Sequence, residues 1–339
     1  MAAVPNLIYG CHLNERAWVL NVTEKLMQVW ENEGPFDVLH TRLNPAMSHF
    51  AGLEVMKKIP SLAWCAYFSD PWPHHLYPEP YRFTVGPLSR IRLERVLDQI
   101  LWQAGSLIFP SEQLEHYILK EGRAKFLKKS FVAPHLANAA NVSAQTTDGI
   151  LKFRHAGFLM KERKIDSLYE ALHQFFSRMP EARTKVRFEF AGRYVGNVLP
   201  EPPEDLRDTV QFHSNMSPEA VSDWMQSADV FLLVEAKMKE GIFFPSKLSD
   251  YLAGNRPILA LSPREGVTAD FLRSGGGILA EPDDAGEIAN ALGKFYRLWQ
   301  ENRLGELLPK KEQIRSVSPE KVIPVYEQAF QKAIQDKIK

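Results

Sequence analysis

From Glu240 to Leu259 the chain reads Glu-Gly-Ile-Phe-Phe-Pro-Ser-Lys-Leu-Ser-Asp-Tyr-Leu-Ala-Gly-Asn-Arg-Pro-Ile-Leu, and the apolar run Asp229–Val234 leads into it. The order is an acid, a Pro-Ser-Lys turn, a short helix carrying Asp250, and a strand from Pro257. Pro245 and Ser246 suit a helix start, with Ser246 near the N-cap. The first backbone N–H groups of a helix lack intrahelical partners and attract phosphate, and Lys247 adds a full positive charge there. Asp250 falls one turn later, on the same face as Ser246 and Lys247. Its carboxylate suits a vicinal diol. A phosphate binder followed at that spacing by a diol binder is what a nucleoside diphosphate requires. A solvated cap on an ordinary strand–loop–helix unit is the alternative reading.

The elements that must position these residues follow an α/β pattern. The 339 residues predict about two domains, and 45% hydrophobic with 24% charged residues is the composition of a soluble globular chain. Lys+Arg and Asp+Glu balance at 41 each, so no global basic field for nucleic acid exists. The two cysteines, Cys11 and Cys65, have neither metal nor redox spacing, which fits a reducing compartment. No apolar run is long enough to span a bilayer and no leader pattern is present, so a cytoplasmic location is expected. The first half predicts strands over Phe36–Thr41, Ser61–Phe68, Ser106–Phe109 and Ser130–Ala133, with helices over Ala17–Glu31, Pro45–Lys58, Pro87–Ala104 and Glu112–Glu121. Small polar residues from Ala137 to Asp148 read as a linker. The second half alternates more regularly. Strands are predicted over Leu151–Ala156, Val186–Phe190, Thr209–Phe212, Asp229–Val234, Pro257–Leu261 and Gly277–Ala280, and a last helix over Pro319–Lys339 that could return to the first domain. The expected domains are 1–136 and 149–315, with 316–339 as the returning helix.

Four segments of the second half resemble the GT-B glycosyltransferases of the large retaining family 4. They are His155-Ala-Gly-Phe-Leu-Met-Lys-Glu-Arg163, Phe188-Glu-Phe-Ala-Gly192, Val210-Gln-Phe-His-Ser214 with Ala228-Asp-Val-Phe231, and Glu240 through Pro257. The resemblance implies two Rossmann-like domains facing a central cleft. It also implies transfer of a sugar from a nucleotide-diphosphate-sugar to a hydroxyl of a saccharide or lipid-linked acceptor, with retention and without a metal or cofactor. Arg163 and Lys247 would hold the diphosphate and neutralise the leaving phosphate. Gly157 would admit the phosphate without a Cβ in the way. Asp250 would bind the ribose diol, Glu240 would stand near the donor sugar, and Ser246, Leu248 and His213 would complete the donor site. Two departures from the family pattern bear on Glu240. The second acid is Asp rather than Glu, and nine residues separate Glu240 from Asp250, more than usual.

The first half resembles a bacterial polysaccharide-synthesis subset in Asn44-Pro-Ala-Met-Ser-His49 and Tyr67-Phe-Ser-Asp-Pro-Trp72. His49, Asp70, Trp72 and His135 are the implied cleft contacts. For His49 and Trp72, plain packing roles are the alternative. His74 and His75 match no motif and suggest no metal site. The N-terminal domain is expected to be abbreviated, because Val4-Pro-Asn-Leu-Ile-Tyr-Gly10 resembles a point well inside the usual domain. That shortening motivates a rival reading as a non-catalytic nucleotide-binding or scaffold subunit, completed by a partner protein or oligomer. Another GT-B enzyme, an epimerase or a phosphorylase, fits the motifs less well. Arg82, Arg90, Arg92 and Arg95 give the Tyr81–Leu101 region a basic, partly amphipathic character that suggests peripheral contact with the inner face of a membrane, against the plainer reading of a solvated surface helix.

Overall fold

The structure is a computed structural model that describes residues 13–120, 122–137, 148–192, 194–195, 201–213 and 216–338. The apolar stretch Val4–Gly10, residues 138–147 of the expected linker, and Ser214 lie outside the described residues. The chain divides into two compact units. The first comprises residues 1–134 and 320–339, and the second residues 135–319.

The first unit is a parallel four-stranded sheet in the order β1-β2-β3-β4, formed by β1 (Val38–Arg42), β2 (Ala63–Tyr67), β3 (Ser106–Phe109) and β4 (Ser130–Val132). Its helices are α1 (Leu13–Glu33), α2 (Met47–Lys58), α3 (Pro87–Gln103) and α4 (Glu112–Leu119). Every residue of β2 is buried, as expected for an inner parallel strand covered on both faces. Alternation then separates the faces. Gly52 of α2 lies so close to Trp64 that a Cβ there would stand 2.7 Å from its ring. Cys65 and Tyr67 face Val322 and Ala329 of the C-terminal helix.

The second unit is a parallel six-stranded sheet in the order β12-β11-β10-β5-β7-β9. Its strands are β5 (Leu151–Ala156), β7 (Val186–Ala191), β9 (Val210–His213), β10 (Val230–Val234), β11 (Ile258–Leu261) and β12 (Gly277–Ala280). A small parallel pair, β6 (Leu159–Met160) and β8 (Tyr194–Val195), accompanies it. The helices are α5 (Asp166–Arg178), α6 (Pro218–Gln226), α7 (Ser246–Ala253), α8 (Val267–Leu272), α9 (Ala285–Gln300) and α10 (Lys311–Ser316). Strand β10 shows why both faces must be covered. Val230, Leu232 and Val234 join the core under α5 and α9, whereas Phe231 and Leu233 join the core under α7.

The chain runs outward from β5 through β7 to β9, then returns to the other side of β5 with β10 and continues outward to β12. Strand order therefore reverses between β5 and β10. In open parallel sheets the crevice beyond the carboxyl ends of the two strands at such a point is where ligands bind. Helix α11 (Pro319–Ile338) belongs to the first unit for nearly all its length, so that unit is discontinuous in sequence.

Candidate functional site

The carboxyl ends of β5 and β10 carry the groups that converge in the second unit. Strand β5 ends at Ala156, and Gly157 follows with φ 144°, a conformation that favours glycine. Its N–H donates to the Ala191 carbonyl at 2.7 Å. A Cβ on Gly157 would fall onto Cε and Nζ of Lys247, so the ammonium group lies directly over this glycine. Gly192, which follows β7 with φ 146°, backs it: a Cβ there would strike the Gly157 carbonyl. Two glycines in succession clear the space into which Lys247 reaches.

Lys247 occupies the first turn of α7 and is half-buried. Burial lowers its pKa from the ordinary lysine value, the positive charge of Arg163 lowers it further, and Asp250 opposes both. Arg163 is held by its own backbone N–H, which donates to the Met160 carbonyl at 2.8 Å. A cation close enough to depress the protonation of Lys247 makes with it a site that an anion relieves. Asp250, one turn along α7, is also half-buried.

The structure refines the helix start. Pro245 is the N-cap and Ser246 the first helical residue, so Ser246 does not cap α7 with its side chain. Leu248 does not belong to the donor surface. Its side chain is fully buried with Phe231, Tyr251 and Leu252, and its N–H donates to the Pro245 carbonyl at 2.8 Å. Helix amides for a phosphate are therefore those of Ser246 and Lys247, the first two of the helix. Glu240 is exposed in the preceding loop, where its carbonyl accepts from Ile242 N–H.

Two side chains at the same crevice were not singled out as site residues from the sequence. His155, the penultimate residue of β5, is 2% exposed; its Nδ1 donates to the Leu232 carbonyl at 2.9 Å and its Nε2 has no partner. Burial, then the Lys247 charge, drives its pKa down to about 3, with Arg163 adding a smaller push, so it is a neutral ring with a bare Nε2 lone pair. Glu235, one residue beyond β10, is 5% exposed and accepts from the Ser262 hydroxyl at 2.6 Å. Burial raises its pKa, and the Ser262 hydrogen bond and the Arg163 charge oppose that. Tyr251 ties the strands to α7, its hydroxyl lying 3.3 Å from Ala156 N and 3.4 Å from the Leu232 carbonyl. The signal available for both missed residues was position: each ends an apolar strand at the point of strand-order reversal.

His213 ends β9, an edge strand. Its Nε2 is 3.6 Å from Glu189 Oε1 and its ring packs edge-on against Trp224 at 5.4 Å. Glu189 is itself bound by Arg154 at 2.6 Å, and that guanidinium stacks over Trp224 at 4.7 Å. His213 is thus one member of a charged cluster joining β5, β7, β9 and α6. His135 lies in the second unit rather than at the end of the first: its ring packs edge-on against Phe244 and its carbonyl accepts from Ser249 Oγ at 2.5 Å, which anchors the chain to α7.

In the first unit the two family-like motifs meet each other. Asp70 accepts from Asn44 Nδ2 at 2.6 Å and from Ser69 Oγ at 2.7 Å. Asn44 has φ 62°, and the Asp70 hydrogen bond holds its side chain in that left-handed turn. His49 is fully buried, with Nδ1 2.8 Å from Thr41 Oγ1 and its ring packed on Phe68 at 4.9 Å. Burial brings its pKa to about 3. Trp72 is 5% exposed and packs edge-on against Phe50. The structure therefore gives His49 and Trp72 packing roles in place of the expected cleft contact, because neither presents a free face. Among the described residues no cluster of His, Cys, Asp and Glu is arranged to hold a metal ion, and no helix is long and apolar enough to cross a membrane.

The family model described as Glycosyl transferases group 1 matches residues 152–297. No curated protein sequence matches the chain. Among solved structures, a glycosyltransferase from Rickettsia africae ESF-5 is 11% identical with a TM-score of 0.66, over 94% of this chain and 82% of that one. An alpha,alpha-trehalose-phosphate synthase (UDP-forming) from Burkholderia xenovorans, in complex with glucose-6-phosphate, is 10% identical with a TM-score of 0.63, over 96% and 79%. A structure described as trehalose-6-phosphate from E. coli bound with UDP-2-fluoro glucose is 14% identical with a TM-score of 0.57, over 95% and 77%. At these identities the likeness is one of fold. The fold is that of the GT-B glycosyltransferases, and the segment holding Gly157, Arg163, Glu235, Lys247 and Asp250 is the one that matches the group 1 glycosyltransferase family.

Proposed function

We propose that this chain is a retaining glycosyltransferase that moves a sugar from a nucleotide-diphosphate-sugar to a hydroxyl acceptor in polysaccharide or glycoconjugate synthesis. The observation that carries the reading is the Lys247 ammonium lying over Gly157 beside Arg163, at the carboxyl ends of β5 and β10. Two mutually repelling cations and the first amides of α7 supply the charge that a diphosphate needs. Asp250, one turn along α7, is assigned the ribose diol in this reading.

As the glycosidic bond breaks, negative charge grows on the departing diphosphate. Lys247 and Arg163 interact more strongly with that charge than with the ground state, which lowers the barrier. Their charges supply this stabilisation without a metal being invoked. The neutral His155 and the buried Glu235 offer an acceptor and a carboxyl at the same crevice. Retention is proposed as a same-face substitution in which the leaving phosphate helps take the acceptor proton. The resemblance of one structural neighbour, described as bound with UDP-2-fluoro glucose, makes a UDP-sugar the first donor to try.

The test is calorimetry of UDP, GDP, ADP, CMP and dTDP against the wild type, Lys247→Ala and Asp250→Ala. Binding of one nucleotide that is lost in both variants is expected, followed by donor-dependent turnover. No binding of any of them would remove the reading.

A further inference from the structure

Helix α3 turns an unusual face to solvent. Its inner side holds the buried Val96, Leu97, Ile100 and Leu101. On the opposite side Leu88, Ile91, Arg92, Arg95, Gln99 and Trp102 recur at three- and four-residue intervals and form one row. That row is about 21 Å long at the rise of an α-helix. A surface helix ordinarily points polar residues outward. Here Leu88 is 72% exposed and Ile91 49%, both within the first two turns. Phe83, just before the helix, is 63% exposed. Trp102 at the far end is exposed as well, with Lys125 over one face of its ring at 4.5 Å.

The charge on this row has one sign. The two acids of α3, Glu94 and Asp98, stand off the row and are engaged: Glu94 by Arg90 at 2.9 Å and His75 at 3.0 Å, Asp98 by Arg123 at 2.8 Å. Arg92 and Arg95 stand on the row, and neither has a carboxylate within ion-pair distance among the described residues. The structure thus divides the four arginines of this region, since Arg90 is paired and Arg82 lies 3.9 Å from Glu79. The turn Ala124–Lys129 adjoins the end of the row, where Phe126 packs edge-on against Trp102 at 5.4 Å, and it adds exposed Lys125, Leu127 and Lys128. Residues 81–130 carry nine lysines and arginines against five carboxylates, a count that includes Glu121 outside the described residues. The whole chain balances at 41 each, so the positive excess is local to this surface.

We propose that the outer face of α3 docks the first unit on an anionic lipid bilayer. Leu88 and Ile91 would enter the boundary between headgroups and acyl chains, and Arg92 and Arg95 would meet lipid phosphates. Protruding aliphatic side chains gain from an apolar phase, and arginines beside them gain from a negative surface. A bilayer supplies both at once, whereas a nucleic acid supplies only the second. A second copy of this chain, joined through the row about a two-fold axis, would set Arg92 and Arg95 against their own equivalents. The inference goes beyond the donor site and does not rest on it.

The experiment is cosedimentation of the full chain with phosphatidylcholine vesicles, with and without phosphatidylglycerol, at low and high salt. UDP binding is followed in parallel so that the donor reading and this one can fail separately. Binding to the anionic vesicles is expected to be at least tenfold tighter than to the neutral ones and to weaken as salt screens the arginines. Leu88→Ser/Ile91→Ser and Arg92→Gln/Arg95→Gln should each weaken it at least tenfold, with thermal melting unchanged. Leu88, Ile91 and Arg95 are exposed and Arg92 is half-buried, so both variants leave the core in place. The proposal is overturned if the anionic vesicles are not bound, if neutral vesicles bind equally, or if either variant binds like wild type. Binding of a soluble polyanion such as heparin, lost in the arginine variant without any vesicle binding, would overturn it in favour of a purely electrostatic partner. Self-association lost in the Leu88→Ser/Ile91→Ser variant, again without vesicle binding, would overturn it in favour of a second copy.

Discussion

Lys247 and Gly157 make one device, and this sets what their substitution does. Lys247→Ala removes a charge-assisted contact worth about 1.5–3 kcal/mol, so the nucleotide Kd should rise roughly ten- to a hundredfold in calorimetry. Gly157→Ala should weaken binding similarly, because its methyl occupies the place of the ammonium, and little further when Lys247 is already alanine. Protonation gives a separate readout. The folded pKa of Lys247 lies below 10.5, so in the window between the two the unfolded chain binds the extra proton and this residue's contribution to stability grows as pH rises. An anion beside Lys247 reverses that preference. Nucleotide binding in the window should therefore take up protons, seen as a binding enthalpy that changes with the ionisation enthalpy of the buffer. Leu248→Ala should behave differently from Lys247→Ala, with a loss of about 2–5 kcal/mol in urea unfolding that comes from the core rather than from phosphate contact. The charged residues of this site were legible in the sequence because a lysine at a helix start and a glycine after a strand announce themselves locally. His155 and Glu235 were not, since each looks like the polar end of an apolar strand until strand order brings the two ends together. The fate of the Leu248 amide depends on a three-residue hydrogen bond that no composition reveals.

Strands were the most legible elements. β3, β5 and β12 begin and end where the apolar runs do, and the others differ by one or two residues at an end. The short pair β6 and β8 and the helix α10 were missed, because two-residue strands and a six-residue helix bury too little to leave a periodic trace. Helix α11 was legible as a helix, and its place could only be guessed. What fixes that place is small residues. Ala329 and Ala333 are fully buried, and a Cβ on Gly105 would stand 2.8 Å from the Ala333 Cα. Gly105→Val should then push α11 from the first sheet and cost about 1–3 kcal/mol in urea unfolding of the first unit, with nucleotide binding by the second unit retained. A wild-type unfolding curve for that variant would show that the helix is held elsewhere.

His49 in the first unit and His155 in the second are deeply buried, and burial brings both to a pKa of about 3. Between the ordinary value of 6.5 and about 3 the unfolded chain binds protons that the folded chain refuses. Both contributions are intact above pH 6.5 and are lost as pH falls, by about 3 kcal/mol each on reaching pH 4. Urea midpoints measured from pH 7 to 4 should fall steeply in the wild type, and less steeply for the first unit in His49→Gln. An unchanged slope in that variant would place the acid sensitivity in other groups.

The sequence discontinuity of the first unit has a consequence for biosynthesis. Synthesis is vectorial, and domains usually complete themselves in the order in which they emerge. Here the segment to Pro134 emerges first but lacks the helix that covers Cys65, Tyr67 and Ile108, and that helix begins only at Pro319. The second unit, contiguous from His135 to Pro319, has all its strands before then. Nascent chains should therefore mature in reverse order. The second unit closes while the first waits with an apolar sheet face open, until the helix from Pro319 arrives to cover it.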